Sequence, residues 1–249
     1  CGPHDQNMVI DYYDSFIGDK NLIASLVPQV VLRFGALPVS KPLTRYLEHH
    51  HSAYHILIDE EGWRDPFHLT SEIWHTDAQS LCSALSSLTE REESTGEWSN
   101  RWRNLAKSAK DAIQRELSEM NDMFEGKVFT ELGKLLTADS LLFVGNSMPV
   151  RNMDTFFPSM KTPIRFMANR GASGIDGVVS SALGASAVSQ ERVVLVIGDI
   201  SFYHDMNGLL AAKNFGLKTT IIVLNNNGGG IFSFLPHADY EEVFESYFA

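Results

Sequence analysis

Cysteine is almost absent from this chain of 249 residues: Cys1 and Cys82 are the only two. Two thiols cannot build the disulfide framework of a small secreted domain, so a reducing, cytoplasmic compartment is expected. Cys82 is expected to be a small buried apolar residue. Long apolar runs are missing as well. No stretch approaches the roughly 18 residues of a membrane span and no signal peptide is visible, so no membrane partner is expected. Basic residues are in the minority, 20 Lys and Arg against 31 Asp and Glu, for a net charge of −11. That balance argues against a nucleic-acid surface, and it requires any anionic ligand to be held by a local basic cluster. No GxxxxGK loop occurs, and Gly171, Gly174 and Gly177 have the wrong spacing for GxGxxG, so neither a P-loop nor a dinucleotide fingerprint is present. Internal repeats and low-complexity tracts are absent too. The chain opens on Cys1 rather than Met, which is read as the start of a piece of a longer protein or of a shortened sequence.

What remains is an alternation of strands and helices. Residues 28–35 (PQVVLRFG) and 53–59 (AYHILID) read as buried strands. Helix candidates follow each of them, KPLTRYLEHH and residues 77–85, an order that implies a parallel α/β layer. Residues 89–97 are polar and without apolar period, and a linker is placed there. From Trp98 to about Met123, apolar residues recur on a period of about 3.6, as in one long amphipathic helix. Four further strands are expected at 140–146, 163–168, 192–199 and 218–226, with helices near 127–136, 151–157, 176–189 and 204–215. The expected fold is therefore α/β, two domains with doubly wound parallel sheets, divided as 1–90 and 91–249. The run His49, His50, His51 is read as a solvated helix end, and Trp98 and Trp102 as packing residues.

In doubly wound sheets ligands bind beyond the carboxyl ends of the strands, and each strand of the second domain ends in a suggestive loop. Asp199 follows VVLVIG, and Asn226 follows the next strand 27 positions later, the length of one βαβ crossover. Neighbouring strands lie about 4.8 Å apart, so one hard cation can touch both residues. A backbone carbonyl, that of Gly228, would be a third protein ligand, with diphosphate oxygens and water filling the six positions that Mg²⁺ prefers. Ser201 and the turn amides after Asp199 open a helix, where phosphate is favoured. Glycines 228–230 allow close backbone approach to an anion. The other two strands end in loops carrying Asn146, Ser147 and Arg151, and Asn169 and Arg170. Each loop alone has a bland explanation: Asp199 as a helix cap, Asn-Gly as a turn, Arg151 as a surface residue. Their coincidence at one edge points to a Mg²⁺-bound diphosphate.

The pair GD…NN resembles the diphosphate-binding motif of thiamine-diphosphate enzymes, with Ile200 where a third Gly is usual. The strings GNSMPVRNMD, NRGASGIDG, GDISFYHDMNGLL and NNNGGGIFSFLP are similar to the MenD family, the 2-succinyl-5-enolpyruvyl-6-hydroxy-3-cyclohexene-1-carboxylate synthases of menaquinone biosynthesis. RFGALPVSK and EEGWRDP resemble that family's central domain. The resemblance implies a transferase that decarboxylates 2-oxoglutarate and adds the succinyl unit to isochorismate in a 1,4 sense. The cofactor carries such chemistry while the protein binds and orients. It implies Asp199, Asn226 and Gly228 as ligands of Mg²⁺ or Mn²⁺, and Ile175 as the apolar wedge that bends the cofactor. Gly198, Ile200, Ser201, Gly229 and Ile231 would complete the cofactor loops. Ser147, Arg151, Arg170 and, from the central domain, Lys41 would bind substrate carboxylates, and Ile231, Phe232 and Leu235 would wall the pocket. Both substrates are dianions, which suits the Arg fork.

The sequence departs from that pattern in three places. No pyrimidine-binding domain is recognisable, so the glutamate that activates the cofactor is not assigned to any residue here. YYDSF follows CGPHDQ almost at once, where the family has several dozen residues. The chain stops at Ala249, before the last part expected of the cofactor domain. The resemblance therefore implies half a site, completed by the pyrimidine domain of a neighbouring subunit in a homodimer or homotetramer, and no turnover by this chain alone. Three other readings stay open at this point: an acetolactate-synthase-like carboligase, a cofactor-binding fragment without catalysis and, more weakly, an NAD-linked oxidoreductase.

Overall fold

A computed structural model describes residues 8–88 and 96–240, with Glu242, Phe244 and Tyr247, and for His237 the backbone only. Cys1 and most of the expected linker lie outside the described residues. Ile10–Glu119 form one compact unit, and the residues from Met120 onward form a second.

The first unit runs α1 (Lys20–Ser25), β1 (Val30–Phe34), α2 (Lys41–His49), β2 (Tyr54–Ile58), β3 (Glu72–Trp74), α3 (Ala78–Leu88) and α4 (Glu97–Glu119). Its three strands are parallel in the order β1-β2-β3. β2 is central, and its apolar run is buried from His55 to Ile58, as a strand with neighbours on both edges must be. Helix α2 starts where Ser40 Oγ accepts the Leu43 N–H at 3.0 Å, with Pro42 in the first turn. The core joins Phe16, Ile17, Ile23, Leu26, Tyr46 and Leu47 to Trp102 and Ala106 of α4. The Trp102 ring meets Phe16 edge-on at 5.8 Å and Tyr46 at 5.7 Å. These contacts place α4 in this unit, whereas the sequence boundary near residue 91 put it in the next.

Two smaller expectations fail. Cys82 is exposed, because α3 buries none of its residues fully. His50 is buried, its Nε2 lying 2.9 Å from the Ile23 carbonyl, so the His run is not uniformly solvated. β3 has no counterpart among the expected strands.

One part-buried ion pair ties β1 to the loop ahead of β3. Arg33 Nη2 lies 3.2 Å from Asp65 Oδ1, and Asp65 Oδ2 accepts the Thr70 N–H at 2.8 Å. Burial pushes the Asp65 carboxyl up, but hydrogen bonds from Thr70 and Leu69 and the Arg33 charge outweigh it and hold it below its ordinary value. A carboxyl depressed on folding contributes stability above its unfolded pKa of about 4, and that contribution is lost as pH falls through the folded value. Asp65→Asn is expected to cost roughly 2–3 kcal/mol at pH 7. This is less than the 3–5 kcal/mol of a stranded buried charge, because Arg33 Nη1 keeps the Gly35 and Arg64 carbonyls. Urea midpoints across pH test this: the gap between wild type and variant should close below about pH 4, and a pH-independent gap would refute it.

The second unit runs α5 (Glu125–Leu135), β4 (Ser140–Val144), α6 (Met148–Phe156), β5 (Arg165–Met167), α7 (Val178–Val188), β6 (Arg192–Gly198), α8 (Asp199–Asp205), α9 (Leu209–Phe215) and β7 (Thr219–Leu224). All four strands are parallel, in the order β5-β4-β6-β7. Leu141 and Phe143 of β4 and Val193, Leu195 and Ile197 of β6 pack on α7 through Val178, Val179, Ala182 and Leu183. The alternate residues Leu142, Val144, Val194 and Val196 are buried as well, and α6 contacts β4 and β6. Both faces are therefore covered, which explains the continuous apolar runs in place of alternation. From β4 the chain passes to β5 on one side and then to β6 on the other. Strand order reverses there, and the reversal opens a crevice beyond the carboxyl ends of β4 and β6. Among the described residues no helix is long and apolar enough to cross a membrane.

Candidate functional site

A cavity of about 140 Å³ lies at that crevice. It is smaller than the roughly 300–1,000 Å³ of a complete small-molecule pocket, a size suited to one end of a ligand. Gly198 of β6 is in register with Leu224 of β7, so the residues just beyond, Asp199 and Asn226, emerge at the same edge. Both line the cavity with Gly198, Ile200, Ser201, Gly228 and Gly229.

Asp199 organises this edge. Its Oδ1 accepts the Ile200 N–H at 2.8 Å, and its Oδ2 accepts the Gly228 N–H at 3.0 Å. The second bond folds the loop after β7 back onto the end of β6. Gly228 has φ +142°, a conformation open in practice only to glycine. A Cβ on Gly230 would stand 2.4 Å from Asn226 Nδ2. Gly228 is thus set by its backbone conformation, and Gly230 leaves room for the Asn226 amide.

The donor set fits a hard divalent cation: one carboxylate, one amide oxygen and the Gly228 carbonyl. One lone pair of that carbonyl is engaged by the Gly230 N–H at 3.0 Å. Among the described residues no three His, Cys, Asp or Glu gather at metal-binding distance. A cation here would thus draw its remaining ligands from phosphate and water, as Mg²⁺ does in nucleotide sites.

The loops after β4 and β5 are knitted together by Asn146, which is buried. Its Nδ2 donates to the carbonyls of Asn169 at 2.9 Å and Gly174 at 2.5 Å, and its Oδ1 accepts from Arg170 Nη1 at 2.6 Å. Ser147, which caps α6 by position, has φ 68° and ψ −131° and makes no side-chain cap bond. Such a conformation costs a non-glycine residue about 1–3 kcal/mol and is concentrated at functional sites. The Ser147 carbonyl accepts from Arg151 Nη1 at 2.7 Å. Arg151 is held below the ordinary arginine pKa by burial and then by the Arg170 charge. The two guanidinium groups thus feel one another, a local positive field in a chain of net charge −11. Ser201 is buried, and its hydroxyl donates to the Ile175 carbonyl at 2.7 Å. This bond engages the hydroxyl and fixes the loop that carries Ile175.

Of the residues singled out from sequence, Ser147, Ile175, Ile231 and Phe232 also line the cavity. Arg151 and Arg170 stand beside it, tied to Ser147 and Asn146. Leu235 lies outside the lining, its N–H on the Phe232 carbonyl at 3.0 Å. Lys41 is the exposed first residue of α2 in the other unit. Sequence reasoning missed Glu125, Met148, Pro149 and Leu224 in the cavity wall. Glu125 opens a helix and precedes its strand, so strand-end logic gave no signal for it.

Residues 5–144 match the family model for the middle domain of thiamine pyrophosphate enzymes, and residues 148–247 match the C-terminal TPP-binding domain of such enzymes. The chain is 52% identical over 248 residues to a 2-succinyl-5-enolpyruvyl-6-hydroxy-3-cyclohexene-1-carboxylate synthase of Geobacillus thermodenitrificans, covering 100% of this chain and 42% of that protein. Synthases of the same name from Bacillus cytotoxicus and Listeria innocua are 47% and 45% identical, with 99% and 97% of this chain covered. The chain spans 42% of the length of each of these relatives. The middle-domain match alone takes in more than half of the residues, and the chain belongs to the thiamine pyrophosphate enzymes.

Proposed function

We propose that this chain provides the diphosphate- and metal-holding half of a 2-succinyl-5-enolpyruvyl-6-hydroxy-3-cyclohexene-1-carboxylate synthase, with 2-oxoglutarate and isochorismate as substrates. The observation that carries the reading is the convergence of Asp199, Asn226 and the Gly228 backbone on one cavity at the switch point. The relatives' names give a succinylated carboxylate as product, and the two substrates are those that the family resemblance implies. When bound, thiamine diphosphate supplies a carbon nucleophile and an electron sink for decarboxylation.

The chain's own residues have simpler tasks. Asp199, the Asn226 Oδ1 and the Gly228 carbonyl would hold Mg²⁺ or Mn²⁺, and Ile175 would press on the cofactor from the loop that Ser201 anchors. Arg151 and Arg170, with Ser147, meet the substrate carboxylates, since bidentate guanidinium contacts are the strongest neutral-pH grip on a carboxylate. Ile231 and Phe232 exclude water. The small cavity agrees with a site completed by the pyrimidine-binding domain of a neighbouring subunit in a homo-oligomer. The compartment is cytoplasmic, consistent with so few cysteines.

The complete protein, supplied with thiamine diphosphate and Mg²⁺ or Mn²⁺, is expected to release CO₂ from 2-oxoglutarate. With isochorismate present, it should form the succinylated product, read by mass spectrometry. Consumption of pyruvate in place of 2-oxoglutarate would overturn the reading in favour of an acetolactate-type carboligase.

A further inference from the structure

The Glu125 carboxylate is shared between two amides. Its Oε1 accepts from Asn226 Nδ2 at 2.8 Å, and its Oε2 accepts from Asn152 Nδ2 at 2.9 Å. Asn152 is a buried residue of α6. Glu125 is the first residue of α5, and its backbone is held in place by close aromatic packing. A Cβ on the next residue, Gly126, would stand 2.5 Å from the Phe124 ring and 2.6 Å from the Phe156 ring, which themselves meet edge-on at 5.2 Å.

We propose that Glu125 is a positioning residue for Asn226, fixing which end of that amide faces the cation. The proposal rests on the metal reading above. An asparagine side chain presents oxygen or nitrogen with almost the same shape, and a cation accepts only the oxygen. An ionised carboxylate has acceptors and no donor, so it holds the Nδ2 end and leaves Oδ1 free. Asn152 occupies the other carboxylate oxygen, which stops Glu125 from rotating. Glu125 thus acts through Asn226, and no direct bond from Glu125 to the metal is part of the proposal. Groups that orient metal ligands typically matter tenfold to a hundredfold in affinity.

The test reads Mn²⁺ affinity directly, by electron paramagnetic resonance of free Mn²⁺ in the complete protein with thiamine diphosphate, without turnover. Glu125→Gln is nearly isosteric but places a donor against one of the two amides. It should weaken Mn²⁺ binding by about tenfold to a hundredfold with an unchanged melting temperature. The double variant Glu125→Gln with Asn152→Asp restores complementarity. The introduced glutamine donates to the new carboxylate and keeps its oxygen for Asn226, so Mn²⁺ affinity should return to within about threefold of wild type. A merely structural role would not give this rescue. Wild-type affinity in Glu125→Gln, or no recovery in a folded double variant, overturns the proposal. Asp199→Asn separates the two readings. If it loses the metal while Glu125→Gln does not, only the role of Glu125 falls. If it binds Mn²⁺ like wild type, the metal reading falls and takes the role of Glu125 with it.

Discussion

Asp199→Asn is expected to lower the affinity of the complete protein for Mg²⁺ or Mn²⁺ by more than about a hundredfold, beyond the range seen when groups behind a ligand are changed. Two effects add. The substitution removes the only charge among the proposed protein ligands, and a hard cation depends on that charge more than on any neutral oxygen. It also breaks the local bonding, because the carboxylate accepts from two backbone N–H groups, Ile200 at one oxygen and Gly228 at the other. An amide has one oxygen, so one of these donors must face an NH₂ group. If the lost partner is Gly228, the loop carrying Asn226 loosens and a second ligand goes with the first. Thiamine diphosphate should then bind weakly at any practical Mg²⁺ concentration, with decarboxylation lost in proportion. Calorimetric titration with the cofactor at fixed Mg²⁺ checks this, and cofactor binding at wild-type strength would end the metal assignment.

The carboxyl edge of the second sheet was legible because its central strands, β4 and β6, are buried on both faces and β7 beside them is an apolar run. RVVLVIG and TTIIVL are apolar runs too short for helices, and a polar residue directly after such a run must lie at the strand end. β3 was missed: it is a three-residue edge strand, EIW, with a charged first residue and no run to notice. The helix expected from residue 204 starts at Asp199 as α8, because the chain turns into a helix immediately at the strand end. The apolar stripe of α4 was evident, but periodicity does not say what covers a stripe. Trp102 packs on Phe16 and Tyr46, far earlier in the chain. Glu125 illustrates the same limit within the site. It is 101 residues from Asn226 in sequence, and an acidic residue opening a helix already has an ordinary reason to be there. Lys41 was assigned only through resemblance, and its place in substrate binding remains a proposal.

Arg170→Lys separates charge from geometry at the proposed substrate end of the site. Arg170 is exposed, donates through Nη1 to Asn146 Oδ1, and adds to the field that lowers the Arg151 pKa. Two like charges so placed repel, and a dianion bound near both relieves that repulsion. If charge alone mattered, lysine would serve nearly as well. The planar fork does two things that an ammonium cannot do together. One nitrogen is held by Asn146, which fixes the direction of the group, and the others remain in a plane that matches a carboxylate. A lysine can reach Asn146 or the ligand, but its single nitrogen cannot present a prepared pair of donors to both. Losing one charge-assisted hydrogen bond costs about 1.5–3 kcal/mol, so kcat/KM for the dianionic substrates should fall roughly tenfold to a hundredfold. Arg170→Ala, which removes the charge as well, should fall further. Mn²⁺ affinity should stay at the wild-type level in both, since neither change touches Asp199 or Asn226. Steady-state kinetics on the two variants decide between the effects. A lysine variant as poor as the alanine one means that geometry dominates, and an intermediate one means that charge contributes. A lysine variant with wild-type kcat/KM would remove Arg170 from substrate binding.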